Sequence, residues 1–334
     1  MPELKLNDGT YQLAANESVL DCLLRNDKPV PYSCKSGICQ ACLVKAVGTT
    51  PPAKASLGLK PTLEASGYAM SCQWIPETDV EIRLPGAEEL AITVVIKAMD
   101  MLNPGVMRLL FEPHDISGMF DSCPGQYLSL ISPDGITRSY SIANDFLHDG
   151  YLELHVAKTD RGVFTNWLFN EARVGQTLHA RGPAGACYYL NPDHGDFPIL
   201  LVGTGTGLAP LWGIVRDALH KHHAGPITLL HGATNPDRLY YVNELKELAR
   251  KQPNFRYQGV VLSGPVADTA LIEGDLTTTA LAGIDPTTLP NLRVFLCGAP
   301  DFVHGLRKKL FLKGARSAHI FCDAFVTRTI TPAR

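Results

Sequence analysis

The chain has 334 residues, 45% of them hydrophobic and 19% charged, with a formal net charge of −3. That length exceeds one ordinary core and calls for two or three domains in a globular chain, while the balance of charge argues against nucleic acid as the main partner. Nine cysteines are few for this length and odd in number, which argues against a secreted disulfide framework and for a cytoplasmic protein with a metal site.

The N-terminus, MPELKLNDGTYQL, has no basic region followed by an apolar core, so no signal peptide is expected. Alternating runs at Glu3 to Leu6 and Val80 to Leu84 read as strands, and Val19 to Asn26 as a helix. Between them Cys34, Cys39 and Cys42 give C-x4-C-x2-C, and Cys72 follows in YAMSCQW. Three thiolates on one tight loop, with a fourth arriving from elsewhere, is the spacing of a plant-type two-iron, two-sulfur cluster. Gly37 and the small residues Ser33, Ser36 and Ala41 let backbone N–H groups approach the inorganic sulfides. A structural zinc site is the competing reading, but zinc prefers paired short C-x2-C knuckles. Cys22, Cys123, Cys187, Cys297 and Cys322 are scattered, and most read as small buried hydrophobes. LPGAEE, from Leu84 to Glu89, reads as a linker.

Residues 91 to about 190 hold short β-type runs, Ala91 to Ala98, Arg108 to Glu112, Tyr127 to Ser132, Thr137 to Ala143 and Tyr151 to Lys158, with Gly, Pro and Asp between them. That rhythm suggests a small antiparallel barrel. In ITRSYSIAN, strand alternation sends Arg138 and Tyr140 to one face and Ser139 and Ser141 to the other. CPGQYLSL precedes it and RGVFTNWL follows, where Gly162 opens a helix read as Thr165 to Ala172. A helix N-terminus suits a diphosphate.

From Pro198 onward strands and helices alternate, as in a parallel sheet with helices on its faces. Strands are read at Ile199 to Val202, Ile227 to Gly232, Asn254 to Leu262 and Arg293 to Cys297, with helices at Pro210 to His220 and Asn243 to Lys251. The apolar run Ile199 to Val215 approaches a membrane span in length, but its four glycines and one proline fit strand, loop and helix better. No membrane segment is expected. Gly203, Gly205 and Gly207 make G-x-G-x-G, which is not the dinucleotide fingerprint. Pro210 suits a first helical turn, and Leu211, Ile214, Val215 and Ala218 follow at helical spacing. VFLCGAP places Cys297, Gly298 and Pro300 after an apolar strand. A nucleophilic Cys297 would need a nearby base, and the sequence identifies none. His220, His222 and His223 read as a cationic helix end rather than a metal site.

The cysteine spacing resembles the plant-type ferredoxin family, although Gln40 and Ala41 stand where many relatives carry glycine first. The flavin-type pieces, in their order, resemble the ferredoxin–NADP⁺ reductase superfamily, and the glycine–threonine loop and Cys-Gly-x-Pro turn resemble its pyridine-nucleotide domain. The resemblance implies a multidomain α+β and α/β chain. A β-grasp ferredoxin domain (1–86) precedes a six-stranded antiparallel FAD-binding barrel (91–192) and a parallel-sheet NAD-binding domain (195–334). It implies a [2Fe-2S] cluster on Cys34, Cys39, Cys42 and Cys72. Arg138 would pair with the flavin phosphates, Ser139 lies within the same binding strand, Tyr140 would pack on the ring, and Ser141 would bond near N5. The stretch His155, Val156 and Lys158 would line the ring and ribityl chain. Gly162, Val163, Phe164 and Thr165 would hold the diphosphate of FAD.

Gly203, Thr204, Gly205, Thr206 and Gly207 would hold the nicotinamide nucleotide, with Thr204 where many members have glycine. Cys297, Gly298 and Pro300 would sit beside the nicotinamide, and Phe325 is the aromatic that would shield the flavin. In ATNPDRLYY the only cation is Arg238, with Asp237 beside it, so NADH is expected over NADPH. The whole layout resembles the reductase component of multicomponent oxygenases: hydride from NADH to FAD, then single electrons through the cluster to an oxygenase component or its ferredoxin. A reductase for a CDP-deoxyhexose dehydrase is the alternative within the family, and a non-catalytic zinc-stabilised binding module the alternative outside it. The protein is expected to act as a monomer, with no membrane and no nucleic acid among its partners. Lys35, Lys45, Lys54 and Lys60, in or after the cluster loop, suggest an acidic partner face or a solvated surface.

The two phosphate devices differ in strength. A charge-assisted bond from Arg138 is worth about 1.5–3 kcal/mol, and a helix terminus about 0.3–1 kcal/mol. Arg138→Ala is therefore expected to lower the flavin content of purified protein more than Thr165→Ala; equal contents would refute the ranking.

Overall fold

The computed structural model describes residues 1–325 apart from 8, 29, 33, 60, 87–90, 115–121, 192–194 and 267. Ser33, Lys60 and the second half of the expected linker lie outside the described residues.

In β1 (Glu3–Leu6) the charged Glu3 and Lys5 face out while Leu4 and Leu6 are buried. With β2 (Gly9–Gln12), β3 (Leu43–Val47), β4 (Tyr68–Met70) and β5 (Val80–Arg83) it forms a sheet ordered β2-β1-β5-β3-β4. The central pair is parallel, Leu4 opposite Val80 and Leu6 opposite Ile82, and its neighbours are antiparallel. The helix Val19–Arg25 starts where the Ser18 Oγ accepts the Asp21 N–H at 3.1 Å, a cap worth about 1 kcal/mol. Its Val19, Leu20 and Leu23 join Leu4, Met70, Trp74 and Ile82 in one core. This is the grasp arrangement. It leaves the loop carrying Cys34, Cys39 and Cys42 between that helix and β3, and puts Cys72 in the 3₁₀ turn Ser71–Gln73 after β4.

The second sheet comprises β6 (Ile92–Asn103), β7 (Val106–Pro113), β8 (Tyr127–Ile131), β9 (Thr137–Ser141), β10 (Leu152–Ala157) and β11 (Thr177–Ala184), ordered β10-β7-β6-β11-β8-β9. A single antiparallel bridge, Ile142 to Leu154, ties the chain beyond β9 to β10, as closure of a barrel requires. The helix after it runs Val163–Asn170, two residues earlier than the sequence suggests, because Gly162 is itself the N-cap.

The third sheet is parallel throughout: β12 (Ile199–Thr204), β13 (Ile227–Ala233), β14 (Phe255–Val261), β15 (Leu271–Glu273), β16 (Arg293–Gly298) and β17 (Ile320–Ala324), ordered β15-β14-β13-β12-β16-β17. Helices cover both faces. Leu208, Leu211, Ile214 and Val215 of helix Leu208–His220 share a core with Leu245 of helix Val242–Lys251. On the other face Leu276 and Ala280 of helix Leu276–Ala282 pack with Val303, Leu306 and Leu310 of helix Pro300–Lys313. The chain leaves β12 towards β13 and later returns to β16 on its other side, so the crevice at the carboxyl ends of β12 and β16 is the topological switch point where such sheets bind ligands.

By contacts the chain divides into two compact units. Met1–Val94, Tyr127–Tyr140 and Thr177–Gly185 form one, and Val95–Gln126, Ser141–Gln176 and the chain from Ala186 form the other. No helix among the described residues is long and apolar enough to cross a membrane.

One expectation needs correction. His223 is not part of a cationic helix end. It is buried, with Nδ1 bonded to the Tyr189 hydroxyl at 3.1 Å and Nε2 to the Phe197 carbonyl at 2.9 Å. Desolvation lowers its pKa and keeps it neutral.

Candidate redox site

The cysteine loop is bent by residues in the left-handed region: Lys35 at φ 55°, Gly37 at 78° and Gln40 at 52°. Only at Gly37 would a Cβ also collide, coming within 2.8 Å of Gln73 Cγ. The coil turns N–H groups onto sulfur: Ser36 and Cys39 each donate to Cys34 Sγ at 3.3 Å, and Cys34 donates to Cys39 Sγ at 3.4 Å. Gln73 Nε2 donates to Cys72 Sγ at 3.6 Å. The four thiols fall into two pairs, Cys34 with Cys39 and Cys42 with Cys72. In each, one sulfur is drawn towards the thiolate by its partner's S–H, Cys34 by Cys39 and Cys72 by Cys42, while the partner is pushed up.

Two sulfurs for each of two irons is what a [2Fe-2S] cluster needs, and N–H donors to sulfur stabilise its reduced form. One zinc ion takes its ligands at a single point. Among the described residues no set of three or more His, Cys, Asp or Glu side chains converges in that way. The pairing of Cys34 with Cys39 and of Cys42 with Cys72 fits a two-iron cluster, two sulfurs to each iron. Of the lysines, Lys35 is paired with Asp21, and Lys45 lies 5.2 Å from the Tyr68 ring centre.

The Arg138-Ser139-Tyr140-Ser141 motif spans the boundary between the units. In the first, half-buried Arg138 donates to the Thr137 carbonyl at 2.7 Å. Thr137 Oγ1 beside it is buried without a hydrogen-bond partner. Desolvation pushes the Tyr140 phenol up. In the second unit, a Cβ on Gly162 would lie 2.5 Å from Thr165 Oγ1, and the helix there has no side-chain cap. Each feature is taken within its own unit: the bare helix start in its tight turn suits a phosphate, as FAD carries, and in the first unit the arginine stands beside an orphaned hydroxyl.

Thr165 closes that turn through its hydroxyl, which accepts from the Thr159 N–H at 3.3 Å and donates to the Gly162 carbonyl at 3.2 Å. Lys158 Nζ lies 5.7 Å from the Phe169 ring centre. The His155 ring is fully buried, bonded to Glu153 at 2.9 Å and to the Tyr240 hydroxyl at 3.1 Å. Its imidazole is thus engaged away from solvent, beside the buried Val156.

At the switch point, Gly203 stands opposite Cys297 across β12 and β16. The 3₁₀ turn Gly205–Gly207 leads into helix Leu208–His220, whose N-cap, Gly207, offers no side chain. A Cβ on Gly207 would lie 2.3 Å from the Cys297 carbonyl oxygen, so the loop is pressed against the Cys-Gly turn. Thr204 Oγ1 accepts the Ala299 N–H at 3.1 Å, and Gly298, at φ 124°, leaves it no room for a Cβ. His231 Nε2 bonds the Gly205 carbonyl at 3.0 Å. Burial lowers its pKa to about 4, so the ring is neutral and Nε2 carries the proton it donates. This bare, glycine-lined cradle at a helix start fits a nicotinamide dinucleotide.

Sequence reasoning missed Asp323. It lies opposite Cys297 on β17, and its Oδ2 accepts the Ser141 hydroxyl at 2.8 Å. Desolvation raises its pKa to about 6, against the lowering effect of that bond. Cys297 is fully buried, 3.7 Å from Cys187 Sγ, and burial pushes its thiol well up, so it is not held as a thiolate nucleophile. The Phe325 N–H donates to the Gly298 carbonyl at 2.8 Å. Phe321 instead stacks on Phe295 at 5.0 Å and belongs to the core.

The Asp323 carboxyl, raised from 3.8 to about 6, holds a proton in the folded protein that the unfolded chain releases. Its contribution is complete below the ordinary value and is lost as pH rises through about 6. Relative to Asp323→Asn, the parent is expected to lose at most about 3 kcal/mol of unfolding free energy between about pH 4 and about pH 7. Denaturant titrations of both proteins check it, and a pH-independent difference would refute it.

Models of three domain families match in series. A 2Fe-2S iron-sulfur cluster binding domain covers residues 5–77, an oxidoreductase FAD-binding domain 93–189, and an oxidoreductase NAD-binding domain 201–308. A relative from Ralstonia sp is 31% identical over 314 residues, 92% of this chain and 93% of that protein. It is named as the ferredoxin–NAD(P)⁺ reductase component of naphthalene 1,2-dioxygenase and salicylate 5-hydroxylase systems. This chain belongs to that family of iron–sulfur flavoprotein reductases. The reductase also matches the crystal structure of an Amycolatopsis cytochrome P450 reductase, with a TM-score of 0.69, 28% identity and coverage of 97% of this chain and 99% of that one. A CDP-6-deoxy-L-threo-D-glycero-4-hexulose-3-dehydrase reductase from Yersinia pestis is 28% identical, over 96% of this chain and 94% of that protein. The reductase is therefore an oxidoreductase with domains for a [2Fe-2S] cluster, FAD and a nicotinamide nucleotide.

Proposed function

We propose that the reductase accepts hydride from NADH in the crevice between β12 and β16 and sends electrons singly, by way of its cluster cysteines, to an oxygenase component or that oxygenase's ferredoxin. The observation that carries this reading is the meeting of Ser141, Cys297 and Asp323 at the carboxyl end of the parallel sheet, next to the glycine cradle. The domains are taken as 1–86, 91–192 and 195–334, which the matched ranges support.

Cys34, Cys39, Cys42 and Cys72 would hold the cluster. Arg138, Ser139, Tyr140 and Ser141 would hold the flavin together with Val156, Lys158 and residues Gly162, Val163, Phe164 and Thr165, and His155 would contribute backbone only. A flavin exchanges either one or two electrons, which joins a two-electron donor to a one-electron acceptor. The chain supplies orientation. Gly203, Thr204, Gly205, Thr206 and Gly207 present backbone N–H groups to a diphosphate, and neutral His231 fixes the Gly205 carbonyl. Cys297, Gly298 and Pro300 form the wall beside the nicotinamide. Asp323 Oδ2 accepts the Ser141 hydroxyl and holds it in one direction, and below about pH 6 the Asp323 carboxyl is protonated. Phe325, whose N–H is tied to the Gly298 carbonyl, would shield the flavin from that position.

For NADPH, the extra phosphate would need cations after β13. Arg238 is exposed there, with Asp237 beside it and Asn103 bonded to its carbonyl. NADH is therefore expected to exceed NADPH in kcat/KM by about tenfold or more with ferricyanide as acceptor. Equal values would overturn the NADH assignment.

A further inference from the structure

Within the first unit a hydrogen-bonded chain joins the flavin-motif strand to a cluster ligand. Ser129, on β8, is 3% exposed. Its Oγ lies 3.0 Å from Ser139 Oγ on β9 and donates to the Cys39 carbonyl at 3.3 Å. A hydroxyl has one proton. Because Ser129 gives its proton to Cys39, Ser139 must donate to Ser129, and the direction of both bonds is fixed. The surrounding contact is not closed by carbon packing, for a cavity of about 180 Å³ lies beside it, lined by Cys39, Gln40, Tyr127, Ser129, Arg181 and Pro183. A second polar tie from β8, Tyr127 to the Ile38 carbonyl, reaches a residue that carries no cluster ligand.

We propose that Ser139, Ser129 and the Cys39 carbonyl form the route by which electrons pass from the flavin strand to the cluster, with Ser129 as the bridging residue. The inference rests on the function proposed above. Electronic coupling decays less steeply through covalent and hydrogen bonds than across empty space. From Ser139 the route crosses two hydrogen bonds and then runs by covalent bonds from the Cys39 carbonyl carbon to its Sγ. Each passage removes one electron from the reduced flavin and converts one ferric ion of the cluster to ferrous. No atom is transferred along the bridge.

The test is anaerobic stopped-flow mixing of the full-length holoprotein with NADH, following flavin and cluster bleaching separately. In Ser129→Ala, flavin reduction is expected at the parent rate and cluster reduction slower by about tenfold. Ser129→Thr, which keeps the hydroxyl, is expected to restore the rate, and Tyr127→Phe to slow it less than Ser129→Ala. Two readouts do not depend on turnover. The dithionite-reduced cluster should give the parent electron paramagnetic resonance spectrum, and amide exchange across residues 34–42 should quicken in Ser129→Ala. Should Ser129→Ala fail to assemble its cluster, Ser129→Cys, with its weaker donor, is expected to give an intermediate rate. Cluster reduction at the parent rate in Ser129→Ala or in Ser129→Cys overturns the bridge alone. Protein that binds neither flavin nor cluster would instead overturn the function on which it rests.

Discussion

Cys39→Ser is expected to purify with its flavin but without its cluster, and to lose electron delivery to a one-electron partner protein down to background. Cys39 is 7% exposed, and its sulfur is paired with Cys34 through mutual N–H bonds. A serine oxygen there keeps the volume but replaces a soft thiolate with a poor iron ligand, and the pair can no longer hold its iron. The residues proposed for hydride transfer, Ser141, Cys297 and Asp323, lie in the other unit. NADH-dependent reduction of ferricyanide should therefore change by less than about twofold. Visible spectra, iron content and the two activities check this together. Loss of ferricyanide reduction with flavin retained would show that the two halves of the chemistry are not separable.

Gly207→Ala is expected to lower kcat/KM for NADH by about a hundredfold, with flavin and cluster contents unchanged. Gly207 has an ordinary backbone, at φ −59°, so alanine costs little in conformation. The obstacle is space: the new Cβ would stand 2.3 Å from the Cys297 oxygen, 2.6 Å from its carbonyl carbon and 3.0 Å from the Gly298 nitrogen. All three are backbone atoms of the neighbouring strand and turn, and none can swing aside. The glycine cradle and the Cys-Gly turn would have to separate, and they carry the two ends of the proposed nucleotide site. Gly205 makes the contrast, with φ 53° and nothing within 4 Å of its added Cβ. Gly205→Ala should cost only the left-handed backbone, about 1–2 kcal/mol. Steady-state kinetics and visible spectra decide the case, and unchanged kcat/KM in Gly207→Ala would show that the crevice yields more than its backbone contacts imply.

What could be read from the sequence was local and periodic. The cysteine spacing pointed to a cluster because ligand positions on one loop are fixed by a few backbone turns. Strands β12 and β16 were legible as apolar runs ending in glycine, since parallel strands are buried on both faces. The strand β11 was not anticipated. Its Gly182 and Pro183 look like a breaker, yet β11 still pairs with β8 across an irregularity between Arg181 and Ala184. Helix Pro300–Lys313 lies beyond the elements expected from the sequence, although Val303, Leu306 and Leu310 carry a helical stripe.

The rest of the site was illegible for a different reason. Asp323 is an isolated carboxylate on a late strand, and only parallel pairing with β16 and the Ser141 hydroxyl give it meaning. Ser129 looks like an ordinary strand residue until the fold sets it 3.0 Å from Ser139, which the flavin-type motif had already singled out. His223 belonged to a histidine-rich stretch that suggested charge, and only tertiary burial makes it neutral.

One chain is proposed to convert paired reducing equivalents into single electrons. Anaerobic titration of the purified holoprotein with NADH, followed in the visible, tests it most directly. One FAD and one two-iron cluster per chain are expected, both bleached by the nucleotide. A colourless protein, or a coloured one that NADH leaves unchanged while dithionite bleaches it, would contradict the account.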